Sequence, residues 1–390
     1  MQTKEKTWVE ISQSNILHNI KSLKTLLSPN TKFMAILKSN AYGHGIGKTN
    51  KICVQSKLID WFGVDSLDEA LLLRRLNNTR PILILGYVPL ERVGEAIRED
   101  ISFVVYNMEL LDFLEHSFQN KKNFQVPISN SQKAKIHIKV ETGTSRQGIA
   151  NEKLIEFIKK AVQNKNILIE GIYTHFANIE DTTDPNYAMK QLAVFNSNIK
   201  KVEQLGVDIP KKHSACSAAI INYPKTHFDM VRTGISLYGF WSSNETKLVA
   251  KQKNVELKLK PAITWKTKII QIKNLPKGTP VSYGLTETLK RNSKLAILPI
   301  GYWDGYDRGL SSIGEVLICG KRARVLGRVC MNMIIVDITD IPKAGLFDEV
   351  VLLGKQQNDQ ITAEELAKKL NTINYEVITR INPLIKRIIV

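Results

Sequence analysis

The 390 residues include only four cysteines, Cys53, Cys216, Cys319 and Cys330. None forms a CxxC pair, and none stands at zinc-finger spacing from a histidine. A disulfide scaffold is not expected, and free thiols of a reducing compartment fit better. The seven histidines are scattered and form no HExxH pair, so no metal is expected. No apolar run is long enough to span a bilayer, and none of signal-peptide length opens the chain. The expected location is cytoplasmic, with no membrane partner. A dinucleotide fingerprint is also missing. Gly43–Gly47 reads GHGIG, without GxGxxG spacing and without an acidic residue about 20 positions on. Acidic residues are in deficit, 37 against 55 Lys and Arg, giving a formal net charge of +18. Such a bias raises nucleic acid, an anionic surface or an acidic substrate as partners. The lysines are spread along the chain, however, as at Lys247, Lys251, Lys258 and Lys260. No aromatic-interleaved basic motif occurs, so a solvated surface is expected and no nucleic-acid partner.

What the chain does have is periodicity. A strand is expected at Thr7–Ile11, then a helix capped by Ser14 with Ile16, Leu17, Ile20, Leu23 and Leu27 on one face. Short apolar runs come next at Phe33–Leu37, Trp61–Val64, Ile82–Leu85, Ser102–Val105, Ile136–Val140, Leu168–Thr174, His213–Ser217 and Met230–Ile235. Between most of them lie helix-length amphipathic segments such as Ser66–Arg75 and Asn151–Val162. Residues His116–Gln132 are polar and read as a loop insertion. Eight strands alternating with helices in about 240 residues predict a (β/α)8 TIM-type barrel, residues 1–243. Past Trp241 the pattern changes to alternating stretches: Ile263–Ile272, Leu295–Pro299, Glu315–Ile318, Ala323–Leu326, Met333–Ile338 and Glu349–Leu353. These predict a mainly antiparallel β domain, residues 244–390, with one late helix, Thr362–Leu370, capped by Thr362. The first strand, at about 7–11, is a candidate to pack with this β domain rather than with the barrel.

Reactive groups of such barrels gather at the C-terminal ends of the strands. Lys38 follows the first run, Lys139 and Arg146 the fifth, and His175 the sixth. His213 and Ser217 lie on the seventh, and Arg232, Gly234 and Ile235 on the eighth. A lysine beside an apolar strand is expected to be desolvated, which favours the neutral amine that attacks an aldehyde. Ser217 and the amides near Gly234 and Ile235 occupy the last two βα loops, a usual phosphate site. Taken singly, each residue has a plainer reading: a solvated lysine, a core histidine, a turn histidine at His44. Only the ordered set suggests a phosphorylated aldehyde cofactor.

Six segments then resemble alanine racemases. They are Lys38–Gly45 (KSNAYGHG), Met230–Gly239 (MVRTGISLYG), Val281–Gly284 (VSYG), Ile300–Tyr306 (IGYWDGY), Gly327–Met331 (GRVCM) and Asn374–Glu376 (NYE). They run in family order from about Trp8 to Arg387. The resemblance implies pyridoxal 5'-phosphate held covalently by Lys38, with Tyr283 as the opposed acid–base group. A phenol is a poor base unless nearby positive charge stabilises its anion. It further implies Arg232 facing the pyridine nitrogen, supported by His213, and His175 against the ring. Phosphate contacts are implied for Tyr42, Ser217, Gly234, Ile235 and Tyr375. Arg146 is implied near cofactor and substrate carboxylate, Met331 as a carboxylate contact, and Lys139 as the lysine that some members carbamylate. Tyr302 and Tyr375 would narrow the entrance; Asn332 and Trp303 depart from the usual residues there. The implied activity interconverts L- and D-alanine and supplies D-alanine for peptidoglycan, in a homodimer with shared active sites. A serine or broad-spectrum amino-acid racemase of the same fold is the alternative.

Overall fold

The computed structural model describes residues 4–120 and 123–390. Its contacts separate two compact units. One comprises Asn15–Ser39 and Thr49–Lys260; the other comprises Met1–Ser14, Asn40–Lys48 and Pro261–Val390.

The chain opens with β1 (Thr7–Ile11). The barrel strands come after it: β2 (Lys32–Ile36), β3 (Trp61–Val64), β4 (Ile82–Ile84), β5 (Ser102–Val105), β6 (Ala134–Lys139), β7 (Ile167–Tyr173), β8 (Lys212–His213) and β9 (Met230–Thr233). They form one parallel sheet in the order β8-β7-β6-β5-β4-β3-β2-β9. Its ends are joined by hydrogen bonds outside the ladders. Asp229 N–H donates to Lys212 O (3.1 Å) and Arg232 N–H donates to Ala215 O (3.0 Å). Strands β3, β4 and β5 are buried at every residue, as expected where a sheet is covered on both faces. Helices cover it where apolar periodicity and caps coincide. Helix Leu67–Arg75 starts at Ser66, whose Oγ accepts from Glu69 N–H (3.3 Å).

Several expectations from the sequence need correction. Helix Gln13–Lys24 begins one residue before Ser14, which therefore lies in its first turn rather than at its cap. The expected loop His116–Gln132 starts late, because helix Met108–Gln119 runs on while Leu111, Leu114 and Phe118 keep its face buried. Lys121 and Lys122 of that range lie outside the described residues. After Trp241 the chain is not yet β: Asn244–Gln252 is a helix, and the chain to Lys260 clusters with the barrel.

The second unit contains β10 (Ile263–Lys268), β11 (Gln271–Leu275), β12 (Pro280–Val281), β13 (Glu287–Thr288), β14 (Ser293–Leu298), β15 (Glu315–Ile318), β16 (Lys321–Arg324), β17 (Ile334–Asp337), β18 (Glu349–Gln356), β19 (Asp359–Ile361) and β20 (Lys386–Ile389). The larger sheet runs β16-β15-β18-β10-β1-β20, with β19 on β18; the smaller runs β11-β14-β17. Pairing is antiparallel except for β1 with β20. The single strand expected at Ile263–Ile272 is two strands in different sheets. The break has a backbone cause: Ile269 N–H donates to Asp348 O, but Ile270 N–H donates to Ile297 O. Helix Ala363–Leu370 begins as expected, with Thr362 Oγ1 accepting from Glu365 N–H (3.0 Å).

Candidate active site

Side chains alternate along a strand, so residues two apart share a face. On β6 this pairs His137 with Lys139, and on β7 and beyond it aligns Gly171, Tyr173 and His175. Arg232 on β9 and His213 on β8 meet these groups inside the barrel. Arg232 Nη1 lies 2.8 Å from His213 Nδ1. Its Nη2 donates to Thr174 O and Ser214 O, both at 2.9 Å, and reaches His175 Nδ1 at 3.4 Å. The Tyr173 and His213 rings are stacked, centroids 4.7 Å apart, and the guanidinium lies 5.1 Å over Tyr173.

These are buried groups, and burial sets their protonation. His175 and His213 are pushed well below the ordinary imidazole range, first by desolvation and then by the Arg232 charge. His137 is lowered to about 3, by burial and then by Lys211 and Arg232. Neutral imidazoles therefore surround a guanidinium that pairs with no carboxylate among the described residues. Its Nε–H also takes no partner among them. With the second Nη1 hydrogen, two donors are left over on a buried cation, a fit for an unprotonated ring nitrogen.

Ser217 opens the helix Ser217–Asn222. Its Oγ accepts from Gly234 N–H (3.0 Å) and Ser236 N–H (3.4 Å), tying the last two βα loops together. Because that oxygen accepts, its own proton remains to be donated to an anion such as a phosphate.

Lys38 departs from expectation. It is not a desolvated amine: its side chain is 40 % exposed and Nζ lies 3.8 Å from Asp65 Oδ1. The desolvated amine is Lys139, lowered to about 8 by burial and by the charges of Arg146, Arg232 and Lys38, against the opposing pull of Glu141. Lys139 Nζ donates to Gln147 Oε1 at 3.1 Å. Glu141 builds the turn before Arg146, accepting from Gly143 N–H (2.5 Å) and Thr144 N–H (2.6 Å). Arg146 itself is exposed. Lys38, Lys139, Arg146 and Arg232 all depress His175, so four cations converge on one neutral ring. Such a mouth favours an anionic ligand. Asp65, Tyr173 and His137 belong to this group but escaped the sequence reading. The signal for the last two was strand alternation, which places them in register with Lys139 and His175.

The segment after the lysine has an unusual backbone. Ser39, Asn40, Ala41 and Tyr42 are all left-handed, φ 52–55°. Side-chain-bearing residues avoid this region at roughly 1–2 kcal/mol each. Within the second unit, its continuation is held by Gly45 N–H donating to Asn40 O (2.9 Å) and by Arg387, whose Nη2 donates to Gly43 O (3.0 Å). Gly43 has φ +80°, and a Cβ there would lie 2.0 Å from Ile378 O. The Tyr42 and Tyr375 rings are 6.0 Å apart. Tyr302 N–H donates to Cys330 O (3.0 Å) and Trp303 N–H to Met331 O (3.0 Å), an approach that Gly301 permits because a Cβ would meet Cys330 O at 2.2 Å. Tyr283 projects from a turn between Ser282 (φ 67°) and Gly284 (φ 74°), and Ser282 Oγ donates to Arg328 O at 2.7 Å. Its side chain is 71 % exposed.

Barrel and site together define an α/β-barrel protein whose strand ends gather cations around neutral imidazoles. Comparison with known proteins narrows this. The alanine racemase N-terminal domain profile matches residues 11–241 and the C-terminal domain profile residues 262–389. An alanine racemase of Methanococcus maripaludis is 41% identical over 382 residues, 98% of each chain. The solved alanine racemase of Clostridium difficile 630 superposes with a TM-score of 0.90 at 33% identity, covering 100% of this chain and 97% of that one. A histidine racemase from Leuconostoc mesenteroides matches at 26% identity and TM-score 0.87, covering 100% and 99%. The chain belongs to the alanine racemase family. It is an isomerase acting on an amino-acid substrate.

Proposed function

We propose that the chain interconverts L- and D-alanine with pyridoxal 5'-phosphate at the barrel mouth. The observation carrying this reading is the pair of leftover donors on Arg232, buried among neutral imidazoles. When bound, the cofactor supplies the electron-withdrawing ring that acidifies the substrate α-hydrogen. Arginine keeps its proton, so Arg232 donates to the ring nitrogen without protonating it. Lys38 holds the cofactor covalently. Ser217, the Ile235 amide, Tyr42 and Tyr375 hold its phosphate, with Gly234 N–H fixing the Ser217 oxygen. His213 supports Arg232, and His175 lies against the ring. Arg146 and the Met331 amide bind the substrate carboxylate.

Racemisation requires one group to remove a proton and another to return one to the opposite face. Lys38 Nζ and Tyr283 Oη fill these roles. Tyr283 is exposed within its own unit, and so are the apolar Leu285, Trp303 and Met331 of the same unit, at 68 %, 59 % and 56 %. An apolar exposed face of this kind supports a two-fold dimer in which the partner's Tyr283 serves Lys38. Lys139 is carbamylated, which its lowered pKa favours. Tyr302 and Tyr375 limit the substrate side chain and favour alanine over serine or histidine. The D-alanine serves peptidoglycan, made in the cytoplasm; among the described residues no helix is long and apolar enough to cross a membrane.

The test is chiral chromatography of purified protein with each alanine enantiomer, with serine and histidine as competitors. Each alanine enantiomer should converge to the same mixture. Turnover of serine or histidine well above alanine would overturn the substrate assignment.

A further inference from the structure

The polar contacts of Arg232 continue into the barrel interior. His213 Nε2 lies 2.9 Å from His137 Nδ1. Among the described residues His137 Nε2 has no hydrogen-bond partner, and it lies 3.8 Å from Glu170 Oε2, an electrostatic rather than hydrogen-bonding distance. Glu170 in turn accepts from Ser102 Oγ at 2.5 Å.

Two features of β7 build this arrangement. The pairing of β6 with β7 runs Ile136 to Ile169 and then His137 to Gly171, so Glu170 is an extra residue in a bulge. Bulges re-aim a side chain that would otherwise follow the pleat. Gly171 then makes room for the ring: a Cβ there would lie 2.3 Å from His137 Nδ1. Trp61 meets the ring edge-on at 5.4 Å.

The chain of contacts has a fixed direction. Arg232 can only donate, so His213 Nδ1 must accept and its Nε2 must carry the proton. That proton is given to His137 Nδ1, so His137 carries its own on Nε2, facing the carboxylate. Both ends of the chain thus demand the same tautomers. A carboxylate at the far end polarises both rings and raises the electron density on the nitrogen that holds Arg232.

We propose that Glu170 is a positioning residue for Arg232, acting through His137 and His213. It places a formal negative charge in line with a buried cation that lacks a direct counter-ion. Its functional consequence rests on the reading of Arg232 as the cofactor-facing residue; the tautomers do not.

Histidine-selective ¹⁵N NMR of the wild-type holoenzyme tests the relay directly. Nδ1 should be bare and Nε2 protonated on both His137 and His213. Glu170→Gln removes the charge at constant shape. It should shift the His213 resonances and lower kcat roughly tenfold with KM little changed, the factor given by a barrier change of about one hydrogen bond. Should that variant fail to fold, Glu170→Asp, which draws the carboxylate back, should move the same resonances the same way by less. A protonated His213 Nδ1 in wild type, or His213 resonances indifferent to both variants, overturns the proposal. A wild-type relay as described in a protein without racemase activity would instead count against the proposed function.

Discussion

Lys139 and Arg232 sit in the same desolvated barrel, yet burial treats them differently. A guanidinium starts so high that it stays charged, whereas Lys139 falls to about 8 from an ordinary 10.5. The sign is direct. A lowered lysine pKa means the neutral amine appears at lower pH, and the neutral amine is the form that captures carbon dioxide. At pH 8 about half of Lys139 is neutral, against roughly 0.3 % of an ordinary lysine. ¹³C NMR with labelled bicarbonate should therefore show a carbamate signal that grows between about pH 7 and 9. It should vanish in Lys139→Met. A signal that persists in that variant assigns the carbamate elsewhere.

At the scale of elements, the turn after Lys38 shows how a motif is paid for by its surroundings. Four left-handed residues are unfavourable in isolation, and Arg387 stabilises their continuation by donating to Gly43 O, where the backbone of Ile378 packs too closely for a Cβ. Gly43→Ala therefore meets both a positive φ and a 2.0 Å clash with Ile378 O. It should destabilise the protein by on the order of 3 kcal/mol, read by urea denaturation. A loss under about 1 kcal/mol would show that the helix Asn374–Thr379 moves freely out of the way. The β7 bulge obeys the same logic, with an extra residue admitted where the neighbouring glycine leaves room for a ring.

For the whole molecule, the question is which chain supplies each acid–base group. Lys38 and Tyr283 belong to different compact units. Under the proposed two-fold arrangement, Lys38→Ala and Tyr283→Phe are each inactive, but subunit exchange between them restores activity. Each hybrid dimer then holds one intact site and one doubly defective site. Random mixing makes about half the dimers hybrid, so roughly a quarter of wild-type activity returns. Differently tagged chains establish that exchange has occurred. Proven hybrids without activity would mean that each site is built within one chain.

Much of the fold and site is legible from sequence alone. Seven apolar runs overlap barrel strands well, because strands buried on both faces leave continuous apolar segments; the seventh in order, His213–Ser217, meets its strand Lys212–His213 only at His213, and Ser217 opens a helix. The ordered motifs place Lys38, Arg232 and Tyr283 in their elements, since a motif records which backbone must turn where. Tertiary structure decided the rest. Which lysine is desolvated depends on packing brought about by folding: Lys38 stays part-exposed beside Asp65, while Lys139 is buried and also faces three other cations. Likewise the sequence marks β1 only as a candidate to pack with the β domain, while its partners β10 and β20, more than 250 positions on, are set by the fold. The His137–His213 contact joins residues 76 positions apart. Periodicity reports which face a residue occupies, but not which distant residue packs against that face, and protonation is set by the latter.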